Sequence, residues 1–463
     1  MTTPSSAQGS PTTIARQSGF FARFPGYLGE RPHILWVALI AVLAVGLRLA
    51  WIAYVNPDPN DGRADDTVFY QHAAGALLDG RGYINFFGFP TAQWPPGYPF
   101  ILSAVYWLFG NDILAAKVLN ALAGGGTVIL IYLIGSRVFN WKVGMVGGFL
   151  YAVFPGQIYY STLIMTEALT PMFLAGLIFL TLLWVIERKE AHWSLRLALG
   201  LAFGAVALMR SETGVLVLFV LLLWRLVVPT WRQFFAQAAF FVAGIAVVIA
   251  PWTIRNYITM DAFVLVSSAY GHTLLAGHQH APYLPTSVFP EAKIQKKYEY
   301  LPYPEREIKV EQEATKEALK WAVHHPVEEM YYPFVKFYHL YKGDSSALVW
   351  INGNSPAVVA GNKLIPESEK DGWSLLANSY YNVLLLAAVA GIPFWFSFKD
   401  KKRFLLVTFV GAWTLMHMAF VPGSRYHAPL MPILSLWAAL TIVFVFEALR
   451  ARIGGSKRAK VEA

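Results

Sequence analysis

The chain has 463 residues, of which 56% are hydrophobic and only 14% charged. A water-soluble protein needs about a quarter of its residues charged to cover its surface, so a soluble fold is excluded and much of this surface faces lipid. The net charge of +9 does not point to nucleic acid, because the basic residues are scattered between apolar runs of spanning length. The lack of cysteine excludes disulfides, thiol catalysis and Cys-type zinc sites.

Residues 1–32 are polar and rich in Ser, Thr and Pro, a composition that predicts a disordered segment. The first strongly apolar run, 33–55, is long enough to span and is expected to act as an uncleaved anchor. Further apolar runs cover 113–134, 143–160, 166–186, 194–210, 214–228, 234–254, 374–397, 403–420 and 427–449. A shorter run, Gly97 to Phe109, follows Pro95-Pro96 and falls below the roughly 20 residues that a span requires.

The positive-inside rule decides how to treat that short run. With it lying along the outer interface, the inner loops hold Arg16, Arg23 and Arg31, then Arg137 and Lys142, Arg188 and Lys189, Arg225 and Arg232, and Lys399 to Arg403. The basic tail 450–463 joins them on the inner side. Counting the run as a span would put most of these charges outside. The expectation is an all-α, polytopic integral membrane protein with about ten transmembrane helices and both termini cytoplasmic. It divides into a first membrane module, 33–254, holding an outer loop at 56–109; an extracytoplasmic region, 255–372; a second membrane module, 373–449; and the tail. The 255–372 region is too long for a connector and reads as helical at Glu305–Trp321.

Ionisable groups at membrane depth are costly and usually mark function. The inner span ends carry mainly Lys and Arg, as topology requires. The outer ends collect both signs: Arg48, Asp65, Asp66, Lys117, Glu167, Arg210, Glu212, Arg255 and Arg425. Carboxylates and arginines on one face suit acid/base chemistry on a phosphate-bearing substrate; the plainer alternative is outer-interface charges that snorkel to water and pair with each other. In the first outer loop, Asp65-Asp66 precede an amphipathic stretch from Phe69 to Leu78, then Asp79-Gly80. Adjacent carboxylates there serve as a general base, as metal ligands, or as a helix N-cap, and one residue can fill two of these roles.

These residues resemble the GT-C superfamily of polyprenyl-phosphate-sugar-dependent glycosyltransferases, and within it glycosyltransferase family 39, which includes protein O-mannosyltransferases and the lipid A aminoarabinose transferase. Asp65-Asp66, an aromatic at Phe69 or Tyr70, and Gly80 reproduce the spacing of the family's first-loop acidic motif. Pro95 to Pro99 through Phe109-Gly110 match its juxtamembrane helix, Thr166-Glu167 the acidic position of the second outer loop, and Met209-Arg210 a basic residue at a span end. Pro251 to Tyr257 and Arg425 to Pro429 match later signatures. The resemblance implies a GT-C-like helix bundle with juxtamembrane helices and a large outer loop. It also implies transfer, with inversion, of a sugar from a polyprenyl-phosphate-linked donor to a protein, lipid A or envelope-glycan acceptor at the extracytoplasmic face of the inner (plasma) membrane. Asp65 falls on the family's general base and Asp66 on its second acidic position. Arg210, Arg255 and Arg425 are the expected phosphate ligands. One departure stands out: some relatives carry a lysine just before the juxtamembrane proline, where this chain has Gln93-Trp94.

Whether a divalent cation takes part is left open by the residues; Asp65, Asp66 and Glu167 are the groups able to hold one. The histidines at 272, 278, 280, 324 and 325 follow no common zinc spacing and read as solvated polar residues. Two other classes fit the spans: a transporter or flippase of a lipid-linked sugar, and a polysaccharide polymerase or ligase. A transport site, however, usually sits near mid-membrane, whereas the charges here gather at one outer face.

Overall fold

The computed structural model describes residues 33–56, 66–110, 112–188, 192–278, 291–352, 365–421 and 423–461. Among them there is no β-strand, only one bridge between Ile84 and Pro90. Apolar sequence becomes helix because lipid offers the backbone no hydrogen-bond partners, so each segment must satisfy its own. The first half is built from α1 (His33–Tyr54), α2 (Asp66–Leu78), α3 (Gly97–Phe109), α4 (Ile113–Val138), α5 (Trp141–Ala152), the short α6 (Pro155–Tyr159) and α7 (Thr170–Thr181), which runs on as a π-type turn to Glu187. Then come α8 (Trp193–Met209), α9 (Thr213–Val227) and α10 (Trp231–Met260). The region expected outside holds α11 (Tyr270–His278), α12 (Glu291–Lys297), α13 (Glu305–His324), α14 (Pro326–Tyr341) and α15 (Ser346–Asn352). The chain closes with α16 (Glu367–Ala390), α17 (Ile392–Trp395), α18 (Lys401–Ala419), a 3-10 turn Ser424–Leu430, and α19 (Met431–Val461).

All ten apolar runs are helical, yet six helices among the described residues are both long and apolar enough to cross a membrane. These are α1, α4, Thr170–Glu187, α10, Ser368–Ala390 and Ser424–Ile453. The largest departure is the run expected at 143–160. Its helix, α5, ends at Ala152 after 12 residues, about 18 Å of rise against a hydrocarbon core of about 30 Å. Pro155 then opens a new helix, because proline lacks the N–H that would continue the old one. Two 3-10 turns, Tyr160–Thr162 and Thr166–Ala168, complete this broken stretch. The α3 helix has the expected bounds; it buries Tyr98, Leu102 and Tyr106 and exposes Trp107, Leu108 and Phe109.

Helix ends are capped by side chains: Asp112, Asn140, Thr230 and Asp400 each accept from amides of the first turn, which satisfies donors that a helix start leaves orphaned. One hydrophobic core joins α4, α5, α7 to α10, α16, α18 and α19, with Trp395 and Trp437 stacked at 3.8 Å. Where helices approach closest, glycine is required. A side chain at Gly200 of α8 would overlap the Phe241 carbonyl of α10, and one at Gly244 would overlap the Leu197 carbonyl. This is the small-residue contact by which membrane helices gain van der Waals packing.

Candidate active site

At the ends of the bundle where α2, the Thr166–Ala168 turn, the C-terminus of α8 and the Ser424–Leu430 turn meet, five charged side chains form a chain of ion pairs. Asp66 opens α2, and its Oδ2 lies 3.1 Å from Arg425 Nη1. Its Oδ1 accepts from the Trp94 indole at 3.4 Å. Arg425 Nε is 3.9 Å from Glu167 Oε1, and the same oxygen is 3.4 Å from Arg210 Nη1. Arg210 Nη2 reaches Glu212 at 3.5 Å. The Glu167 and Arg210 side chains are only 3% and 6% exposed, whereas Asp66 and Arg425 are 25% and 21% exposed. The cluster is thus buried in its middle and partly exposed at both ends, since Glu212 is 32% exposed.

Aromatic rings hold these groups in place. Arg425 lies over Trp350 at 4.8 Å and Tyr426 at 4.9 Å, and it donates to the Tyr426 hydroxyl at 3.1 Å. Arg210 lies over Tyr426 and Trp413 at 5.6 and 5.9 Å. Such faces hold a guanidinium by its charge and its plane without occupying its donors. On the other side, Trp94 stacks on Phe69 at 3.8 Å and its carbonyl accepts from the Tyr83 hydroxyl at 2.9 Å, so the loop after α2 folds back over the helix start. Burial raises the pKa of the Tyr70 hydroxyl, with Asp66 and Glu167 adding to the effect, so that ring stays neutral. At Glu212 burial works against ionisation, but Arg210, the backbone and His417 together outweigh it and its pKa falls.

The residues singled out from sequence divide by placement. Asp66, Glu167, Arg210 and Arg425 come together, joined by Glu212. Asp65 lies outside the described residues. Arg255 does not join the chain of ion pairs: its Nη1 and Nη2 each donate at 2.7 Å to the carbonyls of Thr91 and Tyr83, and its plane covers Trp252 at 4.8 Å. It braces the loop between α2 and α3 against α10. Glu307 braces the same loop from α13, accepting from Thr91 Oγ1, the Ala92 amide and Ser268 Oγ at 2.7, 2.9 and 2.7 Å. Arg48 donates to the Ala44 and Ala152 carbonyls, and Lys117 to Asn56.

Sequence reasoning missed Asp344. It sits beside His427, two residues beyond Arg425, with both side chains fully buried. Nothing local marks it; an aspartate after Lys342-Gly343 reads as a turn, and its partner lies 83 residues away. No group of three or more His, Asp or Glu side chains among the described residues is placed to hold a metal. His278 pairs with Glu329 at 2.7 Å, and His324 and His325 contact carbonyls in their own helix turn; His280 lies outside the described residues. Any cation bound between Asp66 and Glu167 has to displace the Arg425 guanidinium that faces both.

The comparisons place this architecture. Residues 93–254 match the family model of dolichyl-phosphate-mannose-protein mannosyltransferase. That stretch covers about a third of the chain and contains Glu167 and Arg210. Over 93% of its length the chain is similar in structure to the oligosaccharyltransferase AglB from Archaeoglobus fulgidus, solved with an inhibitory peptide and a dolichol-phosphate, with a TM-score of 0.54 and 14% identity. A second structure of that enzyme, tethered to an acceptor peptide with the NVT sequon, gives 0.52 and 14% over 92% of the chain. The chain spans about half of that enzyme's length, 52% and 51% respectively. ArnT from Cupriavidus metallidurans bound to undecaprenyl phosphate is also similar, at 15% identity and a TM-score of 0.41, over 85% of this chain and 77% of that one. No curated protein sequence matches.

An all-helical bundle with acidic and basic groups gathered at one end has, over 93% of its length, the fold of that oligosaccharyltransferase. Within that fold, the family its sequence matches is that of the dolichyl-phosphate-mannose-protein mannosyltransferases, over the stretch from Gln93 to Ile254.

Proposed function

We propose that this protein is a membrane glycosyltransferase that moves a sugar from a polyprenyl-phosphate-linked donor to an acceptor at the extracytoplasmic face of the plasma membrane. The observation that carries the proposal is the convergence of Asp66, Glu167, Arg210 and Arg425. The reaction needs a base for the acceptor and positive charge for the leaving phosphate, and this cluster offers both within one set of contacts.

In this reading the acceptor hydroxyl oxygen attacks the anomeric carbon from the face opposite the phosphate, with inversion. The carbon–oxygen bond to the phosphate breaks, and the polyprenyl phosphate leaves with the electron pair. The acceptor proton passes to a first-loop carboxylate: Asp65 is the proposed base, with Asp66 beside it held by Arg425 and Trp94. A carboxylate of ordinary pKa is a weak base for a hydroxyl, so it accepts the proton late, as the new bond forms, and its alignment decides the rate. Arg425 and Arg210 face the phosphate and stabilise its charge; their forked donors suit its oxygens. Arg255 acts through the loop it braces. The proposed acceptor is a protein, lipid A or another envelope glycan.

The test uses purified protein in nanodiscs and a panel of radiolabelled polyprenyl-phosphate hexoses and pentoses. At least one donor should lose its label, and Arg425→Ala should slow that loss by roughly a hundredfold, the effect of removing one preorganised oxyanion donor. Arg425→Lys should recover part of it, since lysine supplies the charge without the fork. Movement of lipid-linked sugar across vesicles without cleavage would instead mark a flippase.

A further inference from the structure

We infer that α14, within the region that sequence assigns to the outer aqueous side, lies against the outer leaflet with one face in lipid. This rests on the packing of the helix and not on the catalytic proposal.

The polarity of α14 is inside out. Its outward face is Val327, Met330, Tyr331, Phe334, Phe337 and Tyr338, between 44% and 75% exposed, at the 3–4-residue spacing of a single stripe. No charge interrupts that stripe. Its inward face, Tyr332, Lys336 and Leu340, is buried and carries the lysine. A helix in water shows the opposite arrangement, because water favours the charged side and expels the apolar one. Lipid reverses that preference.

Two contacts fix where the helix sits. Lys336 Nζ donates to the Ala419 carbonyl at 3.0 Å, and the Tyr341 hydroxyl meets Thr414 Oγ1 at 2.7 Å. The pairing runs 336 with 419 and 341 with 414, so α14 is antiparallel to α18 and overlaps its last turn and a half, about 8 Å. The positive-inside rule places that end of α18 at the outer surface. Phe337 and Tyr338 therefore reach the hydrocarbon edge, while Met330 and Tyr331 lie in the headgroup layer, where tyrosine is favoured. The apolar surface continues from the span itself, since α18 exposes Leu415 one turn below Ala419. That continuity favours lipid over a protein partner as the occupant. The placement has a consequence for Arg425. The Leu340 carbonyl accepts from His427 Nδ1 at 2.6 Å, and α15, which follows Asp344, carries the Trp350 ring under Arg425. The depth of α14 thus sets the height of that guanidinium relative to the headgroups.

The chain has no cysteine, so single labels are direct. Phe334→Cys and Tyr338→Cys, with Met330→Cys as an independent third position, are labelled with an environment-sensitive fluorophore in nanodiscs. Lys316→Cys and Gln312→Cys, on the exposed face of α13, are the water-facing references. The α14 labels should be blue-shifted, quenched several-fold more by doxyl lipid than the α13 labels, and protected from aqueous iodide. Iodide quenching of the α14 labels equal to that of the references would overturn the inference, as the stripe would then face water. Protection from both quenchers would overturn it as well, because a second copy or another protein would then be the occupant.

Discussion

His427 shows how much of this site is decided by single protons. Its Nδ1 faces the Leu340 carbonyl at 2.6 Å and its Nε2 faces Asp344 Oδ1 at 3.1 Å. A carbonyl only accepts, so Nδ1 carries a hydrogen, and the second contact needs one more proton, on the ring or on the carboxyl. Either way the pair is neutral overall, as burial demands. The imidazole is stacked on Tyr381 at 4.7 Å and lies parallel to Tyr341 at 6.2 Å. At Gly156 any side chain would overlap the Asp344 carboxyl. Burial pushes the Asp344 carboxyl above its ordinary value, with His427 pulling against it. A raised carboxyl means that the folded state holds more protons than the unfolded state between the ordinary value and the raised one, so stability falls as pH rises through that window. Asp344→Ala should therefore cost about 1–3 kcal/mol by leaving His427 without its partner. Asp344→Asn should cost less and flatten the pH slope. Thermal unfolding in detergent across mildly acidic pH reads both, and variants indistinguishable from the parent would remove the pair from the account. Glu167, Arg210 and Arg425 stood out in the sequence as outer-end charges, but sequence cannot tell a guanidinium that faces carboxylates from one that faces carbonyls, which is the difference at Arg255.

At the scale of the element, hydrophobic length located helices well and their ends poorly. Each apolar run became helix because both the core and lipid reward it, yet proline decided where several began and ended. The 143–160 run lost its continuity at Pro155, and α10 instead runs through Pro251 to Met260. Nothing in the hydropathy of α14 separates it from a soluble amphipathic helix; only the side on which Lys336 is buried reveals its surroundings. Close helix contacts were equally silent, since a glycine in an apolar run has no signature of its partner. Gly200 and Gly244 make α8 and α10 meet backbone to backbone. Gly200→Leu should force those helices apart at a cost of about 1–3 kcal/mol or more, read as a lowered unfolding temperature and lower yield. Gly176, whose added Cβ would meet nothing within 4 Å, is the matched control in α7. Equal losses at both positions would show that the contact is not what holds this pair.

For the whole molecule, composition pointed to a membrane protein, and six described helices are long and apolar enough to cross a membrane; which side each end faces is the expectation drawn from charge asymmetry. The fold shared with the oligosaccharyltransferase was legible only through the order of short motifs spread over most of the chain, none of them decisive by itself. The site is a product of the whole topology: α2 supplies Asp66, the break before α7 supplies Glu167, α8 supplies Arg210, and the turn before α19 supplies Arg425, 359 residues from the aspartate it contacts. Contacts at that separation are set by the packing of the bundle, which no local pattern records. The central claim is that a first-loop carboxylate, Asp65 or its neighbour Asp66, takes the acceptor's proton during sugar transfer. Turnover of the active radiolabelled donor by Asp65→Asn and Asp66→Asn in nanodiscs tests it most directly. Asparagine still accepts the hydrogen bond of a helix cap, so the fold should survive at well below ~1 kcal/mol, but it takes no proton at neutral pH. The account predicts that Asp65→Asn lowers turnover by roughly a hundredfold or more. Full turnover in both variants would contradict it and make the first-loop carboxylates structural.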